Sequence, residues 1–569
     1  MSTLVPRFTI SDGFHTLPWL ARLGITSIIL IQVATIYLVG SHPAENWIHA
    51  LYDDAYYYLG VAWHIGQGLG STFHPPFETN GYQPLWLGLL SLVAWLAGDD
   101  KIVLVQATLA LNLVILVLSY FLASRSQHIS PFALIISILC FPFVFCFGME
   151  TVLLLPLFIL LSQTGGDEWL KRGILFALLF YARLDALAIC AVWQLWELIT
   201  PQWRTRLPNV VRSSLLTLAL ILPYFLLNHL YFGVPLPISG LSKALGNLRG
   251  ENIAVFVWYI GLATLPASLS VTNYLLRKQS GLATHRGELL AIRLLCVQLI
   301  CALYYCLLSG WPAWDWYAWP AALSMLCGLT STIYYLHSAS MQRHRLLGVI
   351  SICLSLSLVG LIGIKSLGGA HHLGYSTKAL FKPGFSEDWY GRQNLMLIEN
   401  FFAKQPASFI AMGDRAGSFG YFLPDQFKFL HTEGLVAPLS YFQAMKQGKA
   451  VDYLVQQGVK WLVVDREQYL QVSDQNQQTI YGVAEPIQGL SAKIGPYLIC
   501  FPASAIHYQQ AYQGQTRYVF AVDQRVSCPT ELLREFETLK QTYGGLRHHG
   551  LPSETPTLWL NRWLGLAWG

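Results

Sequence analysis

Residues 51–58 read Leu-Tyr-Asp-Asp-Ala-Tyr-Tyr-Tyr and follow closely on the first long apolar run of the chain. Asp53 and Asp54 are adjacent carboxylates at the point where a membrane helix should leave the bilayer. Charges near a membrane core are costly, so they are kept mainly where they have a function. Residues 79–86, Thr-Asn-Gly-Tyr-Gln-Pro-Leu-Trp, then return the chain to the next apolar run. This arrangement predicts an active site at the membrane surface.

The composition is that of a membrane protein with a globular tail. Of the 569 residues, 54% are hydrophobic and 12% are charged, whereas soluble domains are about one quarter charged. We expect a transmembrane domain over residues 1–367 and a soluble α/β domain over residues 368–569. The net charge of +5 is spread over short loops. Basic residues spread in this way are typical of membrane-protein loops that stay on the cytoplasmic side, and less typical of a nucleic-acid-binding surface. No nucleic-acid partner is therefore expected.

A bilayer-spanning helix needs about 20 apolar residues, and on this measure the chain has about eleven spans. They lie near residues 22–41, 84–98, 102–123, 131–147, 149–163, 173–198, 211–230, 254–276, 288–310, 317–337 and 345–366. With the N-terminus in the cytoplasm, most basic loops also face the cytoplasm. The loop with Asp53 and Asp54 and the tail then face outside, and Glu150 falls inside, where it has no assigned role.

Two basic positions disagree with this topology. Arg125 and Arg172 fall on the outer side when eleven spans are counted. Short or re-entrant helices between residues 131 and 198 would explain the conflict. The fourth and fifth spans are short and closely spaced, which favours this explanation.

The tail alternates short β-like and helical segments, which predicts a small α/β sandwich. Strands are expected near residues 408–412, 428–430, 460–465, 496–501 and 516–522, with helices at 450–457 and from 530 to about 542. Cys500 and Cys528 form a disulfide if the tail lies outside the cytoplasm, and otherwise are two free buried thiols. Trp559, Trp563 and Trp568 lie either on the membrane interface or in a docked end segment.

Asp53 and Asp54 are the first candidates for catalysis. Adjacent carboxylates repel each other, so the pKa of one of them should be raised unless a cation lies between them. Such a carboxylate can deprotonate a sugar hydroxyl as a general base. It can also hold a divalent metal ion beside a phosphate. The simpler alternative is an acidic pair favoured by the dipole at a helix N-terminus.

Further polar candidates follow in the loops. His74, Glu78, Asn80, Tyr82 and Gln83 are aromatic, amide and polar side chains of the kind that bind sugars, or they belong to an ordinary interfacial loop. Trp314, Asp315 and Tyr317 lie in an aromatic belt whose tryptophans either anchor the protein at the interface or stack on a sugar.

Two basic residues are candidates for binding a phosphate. Arg183 stands inside an apolar span, where an arginine is a functional candidate by default and a phosphate is its natural partner. The alternative is a structural ion pair, with Asp185 close in sequence. Lys243 follows a Gly- and Pro-rich loop. It either meets a lipid phosphate or extends from the membrane to the aqueous interface.

Several short motifs occur in an order that resembles the GT-C superfamily of polytopic membrane glycosyltransferases. The branch of mycobacterial terminal β-(1→2) arabinofuranosyltransferases is the most similar in its first-loop motif. The segments concerned are Asp53-Asp54-Ala55, Gly66-Gln67-Gly68-Leu69, Asn80-Gly81-Tyr82-Gln83-Pro84-Leu85-Trp86, Gly148-Met149-Glu150-Thr151, Arg183-Leu184-Asp185, Tyr231-Phe232-Gly233, Asp315-Trp316-Tyr317 and Gly413-Asp414-Arg415-Ala416-Gly417. The chain departs from the pattern at Leu184, where the family usually has proline, and at the three tyrosines that follow Ala55.

The resemblance implies an α-helical GT-C enzyme in a bacterial inner membrane, with its site and tail on the periplasmic side. It implies inverting transfer of a sugar, such as arabinofuranose, from a polyprenyl-phosphate donor to a cell-envelope glycan. Asp53 would then be the general base, and Asp54 would orient the acceptor or help Asp53 to hold a metal. Arg183, Lys243 or a divalent ion (Mg, Mn or Ca) would neutralise the leaving phosphate.

A transporter or flippase for lipid-linked sugars is the alternative function. Broken helices and charges within the membrane would also serve transport. Many such proteins contain inverted repeats, and the sequence shows none.

Overall fold

The structure is a computed structural model, and it describes residues 18–244, 250–279, 289–336, 390–464, 469–473, 479–486, 495–512 and 515–542. The span expected at 345–366, the domain boundary expected at 367–368, and Trp559, Trp563 and Trp568 lie outside the described residues.

The N-terminal part of the described chain is helical. Its α-helices are α1 (Pro18–Ser41), α2 (Asp53–Gly66), α3 (Pro84–Ala97), α4 (Lys101–Ser124), α5 (Pro131–Cys140), α6 (Pro142–Phe145), α7 (Leu154–Ser162), α8 (Trp169–Ala182), α9 (Leu187–Leu198), α10 (Trp203–Phe232), α11 (Ile238–Lys243), α12 (Gly250–Gln279), α13 (Leu290–Leu308) and α14 (Trp319–Leu336).

Five of the described helices are long and apolar enough to cross a membrane, namely α1, α4, α10, α12 and α13. They coincide with the apolar runs predicted from the sequence near 22–41, 102–123, 211–230, 254–276 and 288–310. Leu218, Leu222 and Leu226 of α10 are exposed on the surface of the protein, as expected for side chains that face lipid. The chain is therefore a multi-pass membrane protein, and the described part does not confirm the expected count of eleven spans.

The region between residues 131 and 198 consists of short helices, as the conflict over Arg125 and Arg172 indicated. Helix α5 ends at Cys140, just before Pro142, whose ring and missing N–H interrupt the helical hydrogen bonding. The single helix expected over 173–198 is divided into α8 and α9. Helix α8 ends at Ala182, and Arg183 is extended, with φ −156° and ψ 130°. The break places Arg183 in the interior of the protein and not on a helix surface.

The tail contains two sheets. Strands β1 (Phe409–Met412), β2 (Lys428–His431), β3 (Trp461–Val464), β7 (Ile506–Tyr512) and β8 (Gln515–Ala521) form a sheet in the order β2-β1-β3-β8-β7. Its first three strands are parallel, and β8 and β7 are antiparallel to their neighbours. Strands β4 (Tyr469–Ser473), β5 (Thr479–Glu485) and β6 (Tyr497–Pro502) form an antiparallel sheet.

Helices connect and flank these strands, and the expected α/β tail is present. They are α15 (Tyr390–Asn400), α16 (Gly417–Phe422), α17 (Leu439–Lys446), α18 (Ala450–Gln456) and α19 (Thr530–Thr542). Strands β1, β2, β3, β6 and β8 lie where the sequence predicts them. Strands β4, β5 and β7 were not predicted.

Cys500 and Cys528 are joined by a disulfide, with their Cα atoms 5.2 Å apart. This bond ties β6 to the segment that precedes α19. It agrees with the first of the two alternatives that the sequence left open.

We predict that Cys528 becomes reactive only when this disulfide is absent. A Cys500→Ser variant should react with a maleimide reagent at Cys528 without reductant, whereas the wild-type tail should need reductant first. The bond closes a loop across a sequence separation of 28 and stabilises the tail by about 3.6 kcal/mol in the chain-entropy model. The variant should therefore also unfold at lower temperature. Equal labelling of Cys528 in both proteins without reductant would show that the disulfide does not form.

Candidate active site

Helix α2 places the two adjacent aspartates. It begins at Asp53, and acidic residues in a first turn interact favourably with the positive end of the helix dipole. The rest of α2 is almost entirely buried, and the Tyr56 hydroxyl donates a 2.7 Å hydrogen bond to the carbonyl of Ile48. The first turn of α2 is therefore held rigidly against the helical domain.

A turn at residues 147–150 lies directly against this helix start. The indole Nε1 of Trp86 donates a hydrogen bond to the carbonyl oxygen of Gly148, over 3.0 Å. Gly148 has φ +77°, and a Cβ at this position would collide with Leu51. Glycine is therefore required, because it tolerates a positive φ and leaves room for the neighbouring chain. The turn brings Glu150 towards Asp54.

Arg183 lies between two carboxylates. Its guanidinium donates a bidentate pair of 2.8 Å hydrogen bonds to Asp185 and a 2.6 Å bond to Glu150. Asp185 also accepts hydrogen bonds from the Tyr305 hydroxyl, at 2.9 Å, and from the Trp319 indole, at 3.1 Å. These contacts stabilise the break between α8 and α9. Because two carboxylates surround one guanidinium, the positive charge of Arg183 is already compensated.

Lys243 is the second cation of the site, at the end of α11. Its Nζ lies 3.5 Å from the Tyr317 hydroxyl, and its backbone carbonyl accepts a 2.8 Å hydrogen bond from the N–H of Gly310. Burial opposes the charged ammonium, but Tyr317 and the Asp54 carboxylate outweigh that cost and raise the pKa of Lys243. Lys243 therefore stays cationic at neutral pH, and an ammonium has three donors, so further donors are available to a ligand.

These groups meet in one cavity of about 480 Å³, here called the central cavity. Its polar end contains the predicted residues Asp54, Tyr82, Gln83, Arg183, Lys243 and Tyr317, together with Glu150 and Asp185. The remaining wall is mostly apolar and includes Phe225 of α10 and Ile300 and Tyr304 of α13. Both helices are candidate membrane spans with exposed apolar side chains. The cavity is thus lined both by charged side chains and by apolar side chains of two candidate membrane spans.

The two aspartates face different partners. Both carboxylate oxygens of Asp53 accept hydrogen bonds from the tail: the N–H of Gly417 at 2.8 Å, and the N–H and hydroxyl of Ser418 at 2.9 and 3.0 Å. Asp53 does not line the central cavity, whereas Asp54 does. The sequence did not decide which of the two aspartates acts as the base. In the structure, Asp53 is bound by the tail and Asp54 faces the cavity.

The pKa of Asp54 is raised to about 7. Burial is the largest cause, and the negative charges of Asp53 and Glu150 add to it. The Lys243 ammonium acts in the opposite direction and lowers the pKa. A carboxylate with a pKa near 7 is divided between its protonated and ionised forms at neutral pH. That balance suits proton exchange with a bound hydroxyl group.

The tail approaches the helical domain closely at several points, and three of them fix its position near the site. A Cβ on Gly417 would collide with the backbone of Asp53, and a Cβ on Gly81 would collide with the Leu435 carbonyl. The Tyr57 hydroxyl lies 3.0 Å from Nε2 of His431, a buried histidine. Burial lowers the pKa of His431 to about 3, so this histidine is neutral. The contacts place Leu435 and Val436 of the tail in the wall of the central cavity.

Several predicted residues lie outside the central cavity. His74 is buried against His64 and Phe429, and burial lowers its pKa to about 4. Trp314 stacks on Trp316, with ring centroids 5.7 Å apart. Glu78 and Asn80 line a separate cleft. Asp315 begins a short 3-10 helix, and its side chain lies outside the described part of the chain.

Glu150 is the principal residue of the site that the sequence reading did not assign. The predicted topology placed it on the side opposite Asp54, and the shared cavity shows that this placement is wrong. The Gly148-Met149-Glu150-Thr151 motif was the available signal.

Asp53 and Asp54 do not fit a shared divalent-metal site. Both oxygens of Asp53 already accept hydrogen bonds from the tail. Among the residues that the structure describes, no group of three or more His, Cys, Asp or Glu side chains is arranged to hold a metal ion.

We predict that loss of the Asp53 carboxylate loosens the tail. Hydrogen bonds to a charged acceptor contribute about 1.5–3 kcal/mol each, and Asp53→Ala would also leave the N–H groups of Gly417 and Ser418 unpaired. Hydrogen–deuterium exchange should therefore accelerate at residues 413–418. Asp54→Ala is the matched control and should leave exchange there unchanged. Equal protection in both variants would contradict a docking role for Asp53.

Comparison with known proteins gives distant structural similarity and no sequence family. No family model matches the chain, and no curated protein has a matching sequence. The crystal structure of ArnT from Cupriavidus metallidurans bound to undecaprenyl phosphate is similar with a TM-score of 0.46 and 12% sequence identity. The match covers 87% of this chain and 98% of that one. The assignment of a function therefore depends on the site itself.

Proposed function

We propose that the protein is a membrane glycosyltransferase that takes its sugar from a polyprenyl-phosphate donor. The central cavity carries this proposal, because a carboxylate, an ammonium and an extensive apolar wall line the same space. A lipid-linked sugar has the same polarity: a sugar and a phosphate at one end and a long hydrocarbon chain at the other.

The apolar part of the cavity suits the hydrocarbon chain of the donor. Phe225 of α10 and Ile300 and Tyr304 of α13 line it, and neighbouring side chains of both helices are exposed. An isoprenoid chain lying here would remain among apolar groups as it passed from the bilayer to the site. The donor could then present its phosphate and sugar to the polar end without leaving the membrane.

We assign the general base to Asp54 in place of Asp53, which the family resemblance had favoured. Asp54 faces the cavity, and its raised pKa allows it to take a proton at neutral pH. The acceptor hydroxyl loses its proton to Asp54 as its oxygen forms a bond to C1 of the sugar. The bond from C1 to the phosphate oxygen breaks on the opposite face, so the configuration at C1 inverts.

Lys243 is the group that we assign to the leaving phosphate. Its ammonium retains donors beyond the Tyr317 contact and acts on the same cavity as Asp54. Arg183, which the sequence favoured for this role, is engaged by Asp185 and Glu150. We propose that Arg183 instead positions these two carboxylates and keeps the broken helix in place.

The finer features of the reaction remain those that the family resemblance implied. They are an arabinofuranose-like sugar, a cell-envelope glycan as acceptor, and a periplasmic site on a bacterial inner membrane. The Cys500–Cys528 disulfide supports an external tail. We propose metal-independent transfer, because the tail already engages both oxygens of Asp53, one of the two carboxylates that the sequence offered for the ion.

The proposal is tested by incubating the protein in nanodiscs with a panel of polyprenyl-phosphate sugars and candidate glycan acceptors, with and without EDTA. Wild type should release polyprenyl phosphate and glycosylate an acceptor in both conditions. Movement of donors across a liposome membrane without any sugar transfer would instead support the flippase alternative.

We predict that Asp54→Asn lowers the transfer rate by about 100-fold or more, the usual contribution of a positioned general base. Asp53→Asn should cause a smaller loss, since it acts through docking of the tail. Asp167→Asn is a matched control at an exposed position and should transfer at the wild-type rate. If Asp54→Asn were as fast as wild type, Asp54 would not be the base.

The rate of transfer should rise with pH through about 7 and then level off, because Asp54 acts as a base only when ionised. We predict that Lys243→Met moves this transition to higher pH, since Lys243 lowers the pKa of Asp54. The same variant should raise KM for the donor. A pH profile that does not move, together with an unchanged KM, would remove Lys243 from the site.

A further inference from the structure

A second cleft lies beside the central cavity, and its position indicates a function. It has a volume of about 350 Å³, within the range of small-ligand sites (about 300–1,000 Å³). Phe77, Glu78, Tyr231, Phe232 and Ser440 contribute to its lining. We call it the aromatic cleft.

Three chain segments each contribute neighbouring residues to both spaces. In the first loop, Asn80 lines the aromatic cleft and Gly81 lines the central cavity. Before α11, Pro237 lines the central cavity and Ile238 lines the cleft. In the tail, residues 435 and 436 line the central cavity, and residues 437–440 line the aromatic cleft. These three segments therefore form the wall between the two spaces.

Asn80 holds this wall together. Its amide donates a 3.1 Å hydrogen bond to the Leu236 carbonyl, and its side-chain oxygen accepts a 2.9 Å bond from the N–H of Ile238. Gly81 then permits the close approach of the Leu435 carbonyl. Asn80, which the sequence suggested as a sugar ligand, thus joins the first loop to the segment that leads into α11.

The lining of the cleft suits a carbohydrate. A sugar ring has an apolar face of C–H groups and a rim of hydroxyls, so it needs flat aromatic surfaces beside hydrogen-bonding groups. Tyr231 is 74% exposed, and Phe77 is held in place by stacking on Phe409, with ring centroids 5.4 Å apart. The exposed carboxylate of Glu78 can accept hydrogen bonds from sugar hydroxyls.

We infer that the aromatic cleft binds the carbohydrate part of the acceptor, next to the hydroxyl that enters the central cavity. This assignment rests on the proposed transfer reaction, since it treats the neighbouring cavity as the catalytic one. The cleft includes the last turn of α10, a candidate membrane span. It therefore lies where both a membrane-anchored glycolipid and a soluble glycan can present their sugars.

Direct binding tests this inference without any need for catalysis. The probes are fluorescently labelled short oligosaccharides of arabinose, mannose and glucose, each prepared free and with an alkyl chain, and offered to the full-length protein in nanodiscs. The proteins are wild type, Glu78→Gln and Tyr231→Ala. Glu535→Gln and Tyr37→Ala are matched controls, because both residues are exposed and distant in sequence from the cleft.

At least one oligosaccharide should bind wild type and both controls equally. It should bind Glu78→Gln and Tyr231→Ala about tenfold more weakly, because each variant loses one aromatic contact or one charged acceptor. Binding is measured without a donor, so the result is independent of the transfer assay. Preference for the alkylated probe would identify a membrane-anchored acceptor, and equal binding of both forms a soluble glycan. The inference is wrong if no oligosaccharide binds wild type, or if the two cleft variants bind as tightly as the controls.

Discussion

The hydrogen bonds from the tail to the Asp53 carboxylate are the interaction on which the rest of the site depends. They join the start of a buried helix to residues 417 and 418, more than 360 positions later in the chain. A carboxylate that is buried must be paired or hydrogen-bonded, because an unsolvated charge is otherwise too costly. The tail supplies those donors and, by docking there, also brings Leu435 and Val436 into the wall of the central cavity. Asp54, the next residue, is left to face the cavity.

The charged groups within the cavity also differ in whether their charge is compensated by protein groups. Arg183 is buried and compensated by Glu150 and Asp185, so it shapes the site without offering an uncompensated positive charge. Lys243 and Asp54 remain as the cation and the carboxylate that can exchange contacts with a ligand. Some charged groups of the site therefore stabilise the fold, and others remain available to a ligand. Asp53 belongs to the first set and Asp54 to the second, although they are adjacent in sequence.

The sequence predicted the parts of the fold that depend on local patterns. Long apolar runs identified α1, α4, α10, α12 and α13, and apolar segments identified β1 and β3 in the tail. Strand β7, Ile-His-Tyr-Gln-Gln-Ala-Tyr, carries too few apolar residues to be recognised, because it lies at the edge of its sheet. The spans expected between residues 131 and 198 are not confirmed, because short helices and the break at Arg183 interrupt a nearly continuous apolar stretch there.

The site was predictable as a set of residues but not as an arrangement. Asp54, Arg183 and Lys243 are charged residues in or beside apolar runs, and that property alone marks them. The partners of Arg183 and the contact between Asp53 and Ser418 are set by tertiary packing, and no local pattern encodes them. Glu150 was passed over because its position relative to the membrane was inferred by counting helices, so one error in the count changed its side.

A cryo-EM structure of the protein in nanodiscs with bound polyprenyl phosphate tests the central claim most directly. We expect the phosphate beside Lys243 and facing Asp54, and the isoprenoid chain against Phe225, Ile300 and Tyr304, between α10 and α13. A phosphate bound away from Lys243, or a lipid chain that avoids the central cavity, would contradict the proposed donor site.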